Sequence, residues 1–161
     1  EPNMTAGELH DQLMYTGADL LVKTVEAMAA GDYPLQDQVG LLAGREPKHA
    51  PKIFKEDMKV DWTLGVDAIF NHIRGLSPFP TAWTEFRNKK NGEVVSLKIF
   101  ETERIVKDHG KDVGLSTDNK TYLDVLVEGG VIRIKELQLS GKKRMKTEEF
   151  LRGFHIEDYS L

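Results

Sequence analysis

The spacing of apolar residues predicts one long helix at the start of the chain. Leucine, valine and methionine recur at helical intervals, which predicts a helix over about residues 5–30 with Gly31 as its stop. The apolar stripe is wide enough to require a packing partner. Its members are Leu9, Leu13, Leu20, Leu21, Val25 and Met28.

Residues 32–60 lack this periodicity and are rich in proline and glycine, so we interpret them as a linker. The second half of the linker is basic. If residues 54–59 form a helical turn, Lys55 and Lys59 share a face. A solvated linker in which lysine is simply common remains the alternative.

A second helix is predicted from Asp61 as N-cap to Gly75 as stop, with Val66, Ile69 and Ile73 on its apolar side. A final helix is predicted with Thr147 as its cap.

Strand signals dominate from residue 81 onward. Residues 83–86 and 94–100 flank Asn91-Gly92, a strong hairpin turn, and residues 123–127 precede the turn Gly129-Gly130. The apolar parity then shifts by one position between Ile134 and Leu137, which predicts a bulge or a strand that crosses between sheet faces. The predicted fold class is α+β, with a small OB-like β-barrel that follows a helix and precedes a short C-terminal helix.

Composition describes an ordinary globular chain, with 161 residues, 40% hydrophobic and 30% charged. The chain has no cysteine, no apolar run long enough to span a bilayer and no secretory signal at its start, so we expect no membrane association and a cytoplasmic location. The net charge of −4 is unevenly distributed: residues 1–44 carry seven acidic and one basic residue, whereas residues 133–152 carry seven basic and three acidic. This asymmetry predicts a basic face in the later part.

The residues themselves predict no self-sufficient active site. The five histidines lack the spacing of a metal site and are interpreted as surface residues: His10, His49, His72, His109 and His155. No nucleophile elbow and no P-loop are present.

The highest local density of charged residues in the sequence is a cluster of basic residues. Four of the five residues 142–146 are cationic and follow an apolar strand and Gly141. Such a cluster is suited to phosphate groups, although a merely solubilising turn is the alternative. Four aromatic residues lie in apolar contexts and are expected in the core, which favours contact with a duplex backbone over stacking on unpaired bases. They are Trp62, Phe79, Trp83 and Phe100.

Several segments, in order, resemble the methionyl-tRNA formyltransferase family over nearly the whole chain. They are Met4-Thr5-Ala6-Gly7-Glu8-Leu9-His10-Asp11, Gly17-Ala18-Asp19-Leu20-Leu21, Ala50-Pro51-Lys52-Ile53-Phe54-Lys55-Glu56 with Val60-Asp61-Trp62, Ile73-Arg74-Gly75-Leu76-Ser77-Pro78-Phe79-Pro80 with Ala82-Trp83-Thr84, and Gly141-Lys142-Lys143-Arg144-Met145 with Glu149-Phe150-Leu151-Arg152-Gly153.

The resemblance implies a division into residues 1–31, the last helix of a Rossmann-type catalytic domain, residues 32–60, the linker, and residues 61–161, an OB-like tRNA-binding domain. The family transfers a formyl group from 10-formyltetrahydrofolate to initiator methionyl-tRNA. Its catalytic motifs all precede the first residue here, so the resemblance implies no catalytic, cofactor or metal residue in this chain, and we expect the 161-residue chain alone to be inactive.

The resemblance also implies which residues contact the tRNA backbone. Arg74 precedes a helix-ending glycine, so capping of helix carbonyls is an equal alternative for it. The expected tRNA-binding residues are Lys52, Lys55, Arg74, Lys142, Lys143, Arg144 and Lys146.

Two other classes of protein stay open. A sugar-nucleotide formyltransferase or formyl-folate hydrolase shares this architecture but acts on small substrates, which the basic cluster argues against. The other class is a protein-interaction module whose charges maintain solubility. Because the stripe of the first helix lacks the parent sheet, this helix must dock elsewhere, pair with a second copy or expose an apolar patch; docking or self-association is expected.

Overall fold

A computed structural model describes all 161 residues. The chain forms two compact units, one of residues Glu8–Ile53 and one of residues Glu1–Gly7 together with Phe54–Leu161. None of the helices is both long enough and apolar enough to cross a bilayer.

The unit Glu8–Ile53 is helical. Helix α1 spans Ala6–Ala30, which confirms the predicted first helix, and α2 spans Gln38–Leu42 within the predicted linker. Asp37 caps α2, since its Oδ2 accepts a hydrogen bond from the Gly40 N–H at 2.9 Å. No residue of α1 is buried, and the side chains of Leu13 and Leu21 are 62% and 64% exposed. The apolar stripe of α1 is therefore open along its length.

The larger unit contains two helices and seven strands. The helices are α3 (Val66–Leu76) and α4 (Thr147–Leu151), and the strands are β1 (Ala82–Asn88), β2 (Val94–Val106), β3 (Gly114–Thr117), β4 (Leu123–Val127), β5 (Gly130–Leu139), β6 (Met145–Lys146) and β7 (Tyr159–Ser160). Single 3₁₀ turns lie at Glu56–Met58 and Ile156–Asp158.

The strands form one antiparallel sheet in the order β3-β4-β5-β2-β1-β7, and β6 pairs with β5. The sheet curls into a nearly closed barrel. Asn119, in the turn after β3, donates its Nδ2 to Glu157 Oε2 at 2.6 Å, just before β7. Helix α3 packs on β2 and β5, and the barrel is filled by alternating residues such as Phe86, Ile99 and Ile132, each 0% exposed.

The parity shift in β5, which predicted a bulge or a strand that crosses between sheet faces, coincides with an irregular, bulge-like pairing of β5 with β2. Ile99 pairs with Leu137 and Thr102 pairs with Ile134, so two residues lie between the paired positions on each strand, and only Glu101 and Glu136 pair there. Phe100 on β2 and Lys135 on β5 are consequently left without a register partner. The bulge lets apolar residues on both sides of it point into the same core.

Three details of the helix ends differ from the predictions. Asp61 is not the N-cap of α3: its carboxylate accepts from the N–H and hydroxyl of Thr63, which lowers the Asp61 pKa, and α3 begins at Val66. The helix continues through Gly75 to Leu76. Thr147 does not cap α4, because its hydroxyl donates to the Ile134 carbonyl at 2.6 Å.

Candidate nucleic-acid interface

The predicted basic cluster lies on the hairpin that joins β5 to β6. Gly141 adopts φ = +75°, a conformation that favours glycine, and the Lys142 N–H donates to the Leu139 carbonyl at 2.9 Å to close the turn. Gln138 then donates its Nε2 to the Lys142 carbonyl at 2.7 Å. These bonds close the hairpin turn, and its four cationic side chains are exposed to solvent.

Two of the four hairpin cations are paired with carboxylates. Lys143 Nζ lies 3.0 Å from Glu149 Oε1, and the Arg144 guanidinium is bonded to the Glu136 carboxylate. Arg144 also lies over the Phe100 ring, 4.3 Å from its centroid. A phosphate group must therefore compete with, or share, the existing partners of these two side chains.

The other two hairpin cations have no such partner. The side chains of Lys142 and Lys146 are exposed and take part in none of the ion pairs of the protein. Lys146 is in register with Glu136 across the two strands, yet Glu136 pairs with Arg144 instead. These two ammonium groups are the ones that can neutralise phosphate without breaking an existing ion pair.

The second basic group surrounds Trp83. Lys55 Nζ and Lys59 Nζ lie 5.4 and 5.0 Å from the centroid of the Trp83 ring, so the two lysines share a face, as predicted. Trp83 Nε1 donates to the Lys55 carbonyl at 2.9 Å, which fixes this segment against β1. Lys59 also forms an ion pair with Glu85 at 2.7 Å.

The remaining predicted residues lie elsewhere. Lys52 is an exposed residue of the unit Glu8–Ile53. Arg74 donates its Nε to Asn71 Oδ1 at 2.8 Å and its Nη1 to the Met4 carbonyl at 2.7 Å. Arg74 thus links α3 to residues 1–7 and bonds no carbonyl of its own helix.

The expectation that all four aromatic residues are core is wrong for Phe79, which is 84% exposed. It holds for Trp62, which is 8% exposed and donates Nε1 to Thr84 Oγ1 at 2.8 Å. Trp83 and Phe100 are half-buried, and each carries a cation over its ring.

Two histidines also depart from the expected surface position. His109 is half-buried, with Nε2 at 2.8 and 3.0 Å from the carbonyl oxygens of Val127 and Gly130, so Nε2 carries the proton and donates. Its Nδ1 accepts from the Lys111 N–H at 3.1 Å. His72 Nε2 is buried without a partner. No three histidine or acidic side chains converge in a way that could hold a metal ion.

Lys98 is a further candidate that was not predicted from the sequence. This residue is exposed on β2, directly opposite Trp83 on β1 and Gln138 on β5. In sequence it is a single lysine at an outward-facing strand position, which is typical of ordinary solvated residues. Only the strand register reveals that it lies between the two basic groups.

Comparison with known proteins now places the chain in a class. Residues 52–155 match the family model described as formyl transferase, C-terminal domain, and the chain belongs to that family.

Individual relatives are named methionyl-tRNA formyltransferase. The chain is 45% identical over 152 residues to the one from Phocaeicola vulgatus, covering 93% of this chain and 47% of that protein. It is 46% identical over 151 residues to the one from Azobacteroides pseudotrichonymphae, covering 92% and 46%. The chain therefore spans about half the length of the curated relatives it matches.

A solved structure shares the fold. A variant of HypX from Aquifex aeolicus superimposes with a TM-score of 0.64 at 15% identity, covering 98% of this chain and 27% of that one. At this identity the likeness concerns the fold alone.

Proposed function

We propose that this chain is the tRNA-binding C-terminal portion of a methionyl-tRNA formyltransferase, an enzyme that transfers a formyl group from 10-formyltetrahydrofolate to initiator methionyl-tRNA. The proposal places no catalytic, folate-binding or metal-binding residue in this chain. Its contribution is to hold the tRNA through the phosphate backbone while the chemistry takes place elsewhere in the parent enzyme. We place that enzyme in the cytoplasm.

The observation that carries the proposal is the β5–β6 hairpin. A hydrogen-bonded turn presents four cations within five positions, and Lys142 and Lys146 have no carboxylate partner. Cations on a fixed backbone bind phosphates without reading base edges. The proposed tRNA-binding residues remain Lys52, Lys55, Arg74, Lys142, Lys143, Arg144 and Lys146.

The domain organisation is part of the proposal. Residues 1–31 are the terminal helix of a Rossmann-type catalytic domain, residues 32–60 the linker, and residues 61–161 the tRNA-binding domain. The curled antiparallel sheet supports an OB-like assignment, a fold that often presents one face to oligonucleotides. The open stripe of α1 supports self-association of the isolated chain.

A small-substrate formyltransferase or hydrolase is less well supported. Such an enzyme acts on a small substrate and needs no basic face on the barrel. The high identity to relatives named methionyl-tRNA formyltransferase points the same way.

Fluorescence anisotropy with initiator tRNA over a range of salt concentrations tests the proposal. The logarithm of the binding constant should fall with the logarithm of salt with a slope of roughly −0.9 per phosphate contacted, by analogy with B-form DNA. The triple variant Lys142→Ala/Lys143→Ala/Arg144→Ala should have a flatter slope. A flat slope in the unmodified chain would refute tRNA binding.

Lys111→Ala provides the matched control. Lys111 follows His109, which bonds the carbonyl of Gly130 at the start of β5, whereas the hairpin follows the end of that strand. At about 3.3 Å per residue, the eight residues from Gly130 to Gln138 separate the two regions by roughly 26 Å. A second assay is direct: the purified chain should not formylate methionyl initiator tRNA above background, and turnover would contradict the absence of catalytic residues.

A further inference from the structure

We infer that Lys98 is a phosphate-binding residue that joins the two basic groups into one continuous surface for a nucleic-acid backbone. This inference rests on the proposed function and extends it to a residue that neither the sequence pattern nor the family match singles out. The surface, called here the lysine row, consists of Lys55, Lys59, Lys98 and Lys142.

The register of strands β1, β2 and β5 determines where the lysine row lies. Trp83 on β1 pairs with Lys98 on β2, and Lys98 pairs with Gln138 on β5. Paired residues of antiparallel strands point to the same side of the sheet. The neighbours of Lys98 along β2, Leu97 and Ile99, are 2% and 0% exposed, so Lys98 points away from the core. The three residues therefore form a transverse line on the outer face of the barrel.

Each end of this line leads to one basic group. At the β1 end, Lys55 and Lys59 lie over the Trp83 ring. At the β5 end, Gln138 holds the Lys142 carbonyl and so positions the hairpin. Two interstrand steps of about 4.8 Å make the line from Trp83 to Gln138 about 10 Å long.

The charges of the row favour an anion at its centre. Lys59 is paired with Glu85, but Lys55, Lys98 and Lys142 take part in none of the ion pairs of the protein. Lys98 lies on the line itself, Lys55 lies over Trp83 at its β1 end, and Lys142 belongs to the hairpin that Gln138 holds at its β5 end. Unpaired ammonium groups grouped in this way produce a positive potential that attracts a polyanion. A nucleic-acid backbone fits this arrangement because its charges are also spaced along a line.

The expected effect follows from counterion release. Losing one phosphate contact should make the log–log salt slope shallower by about 0.9, which corresponds to an affinity loss of about eightfold at 0.1 M salt relative to 1 M. Because a backbone contact carries no sequence information, the loss should be the same for initiator and elongator tRNA transcripts.

The experiment measures anisotropy of a labelled initiator tRNA transcript with the unmodified chain and with Lys98→Ala, Lys98→Arg, Lys111→Ala and the hairpin triple variant. Lys98→Ala should lose affinity about eightfold with a shallower slope. Lys98→Arg keeps the charge and should retain both. Lys111→Ala should match the unmodified chain. Circular dichroism melting of each variant verifies that the barrel is folded, as expected for substitutions at exposed positions.

The outcomes separate this inference from the proposed function. If the hairpin triple variant loses affinity while Lys98→Ala retains it, the row is not continuous and the inference is wrong, whereas the proposed function stands. If Lys98→Ala and Lys111→Ala lose affinity equally, the effect is one of net charge and the inference is likewise wrong. If the unmodified chain shows no salt-dependent binding, both fail.

Discussion

Removing the two unpaired hairpin cations should weaken tRNA binding far more than removing the two paired ones. The first variant is Lys142→Ala/Lys146→Ala. The second replaces Lys143 and Arg144 by alanine together with their partners, Glu149→Gln and Glu136→Gln, so that the net charge is unchanged. Each variant removes two basic residues, and the second also removes the two carboxylates that pair with them.

The expected loss of tRNA affinity depends on whether each cation is paired with a carboxylate. Each unpaired lysine that contacts a phosphate contributes a salt slope of about 0.9, so the first variant should lose about 1.8 in slope and about 60-fold in affinity at 0.1 M salt. A paired cation must first give up an exposed ion pair worth about 0.2–1 kcal/mol, which reduces its contribution from about eightfold to between about 1.5-fold and about sixfold. The second variant, which also removes two repelling carboxylates, should lose less still.

The assay measures the anisotropy of labelled tRNA at salt concentrations from about 50 to about 300 mM, where counterion release dominates the salt dependence of binding. The variant Lys142→Arg/Lys146→Arg keeps both charges and should bind like the unmodified chain. Equal losses in the two alanine variants, or a larger loss when the paired residues are removed, would refute the reasoning that carboxylate partners withhold Lys143 and Arg144 from phosphate.

Three further predictions concern stability and association. Leu13→Glu/Leu20→Glu, on the exposed stripe of α1, should convert a self-associating chain to a monomer in light scattering; a monomeric unmodified chain would remove self-association. Leu137→Ala, at a 0% exposed position, should cost about 2–5 kcal/mol in urea unfolding, and a loss below 1 kcal/mol would contradict its core position. Asp118 accepts from the Thr121 hydroxyl and nearby N–H groups, which lower its pKa, so Asp118→Asn should lower Tm at pH 7.

The pH dependence of that last variant has a definite sign. A carboxylate whose pKa is lowered by folding stabilises the folded state above its ordinary value of 3.8 and loses this contribution as pH falls through the lowered pKa. The Tm difference between the unmodified chain and Asp118→Asn should therefore be constant near neutral pH and shrink in strong acid. A difference that grows on acidification would contradict the hydrogen bonding described for Asp118.

Local patterns predicted the regular elements well because periodicity reports directly on burial. The helical spacing of Leu13 and Val25 predicted α1, and the parity shift between Ile134 and Leu137 predicted the bulge. The bulge was visible because it moves apolar side chains between alternating positions, which the sequence records.

Contacts between distant segments could not be read in the same way. Thr147 has the composition of a helix cap, but its hydroxyl bonds Ile134 on a neighbouring strand, which no local pattern contains. Phe79 lies between two prolines in an apolar segment, yet the loop carries it outward. Short β3 and β7 lacked enough alternating residues to be detected.

The same distinction applies to the candidate interface. The density of charge at residues 142–146 located the hairpin, because neighbouring residues in sequence are neighbours on a turn. The pairing of Arg144 with Glu136, and the position of Lys98 opposite Trp83, depend on strand register across the barrel. Register is set by the whole sheet. A count of basic residues in the sequence therefore could not show that Arg144 is paired with a carboxylate, or that Lys98 belongs to the candidate interface.

Phosphate ethylation interference on initiator tRNA tests the central claim most directly. Ethylation removes the charge of single phosphates, and tRNA molecules that still bind the purified chain reveal which phosphates matter. The account predicts interference at a short contiguous run of phosphates, a weaker pattern with Lys142→Ala/Lys146→Ala, and no interference from base modification in the same region. Interference only at bases, or at no phosphate, would contradict a function in holding the tRNA backbone.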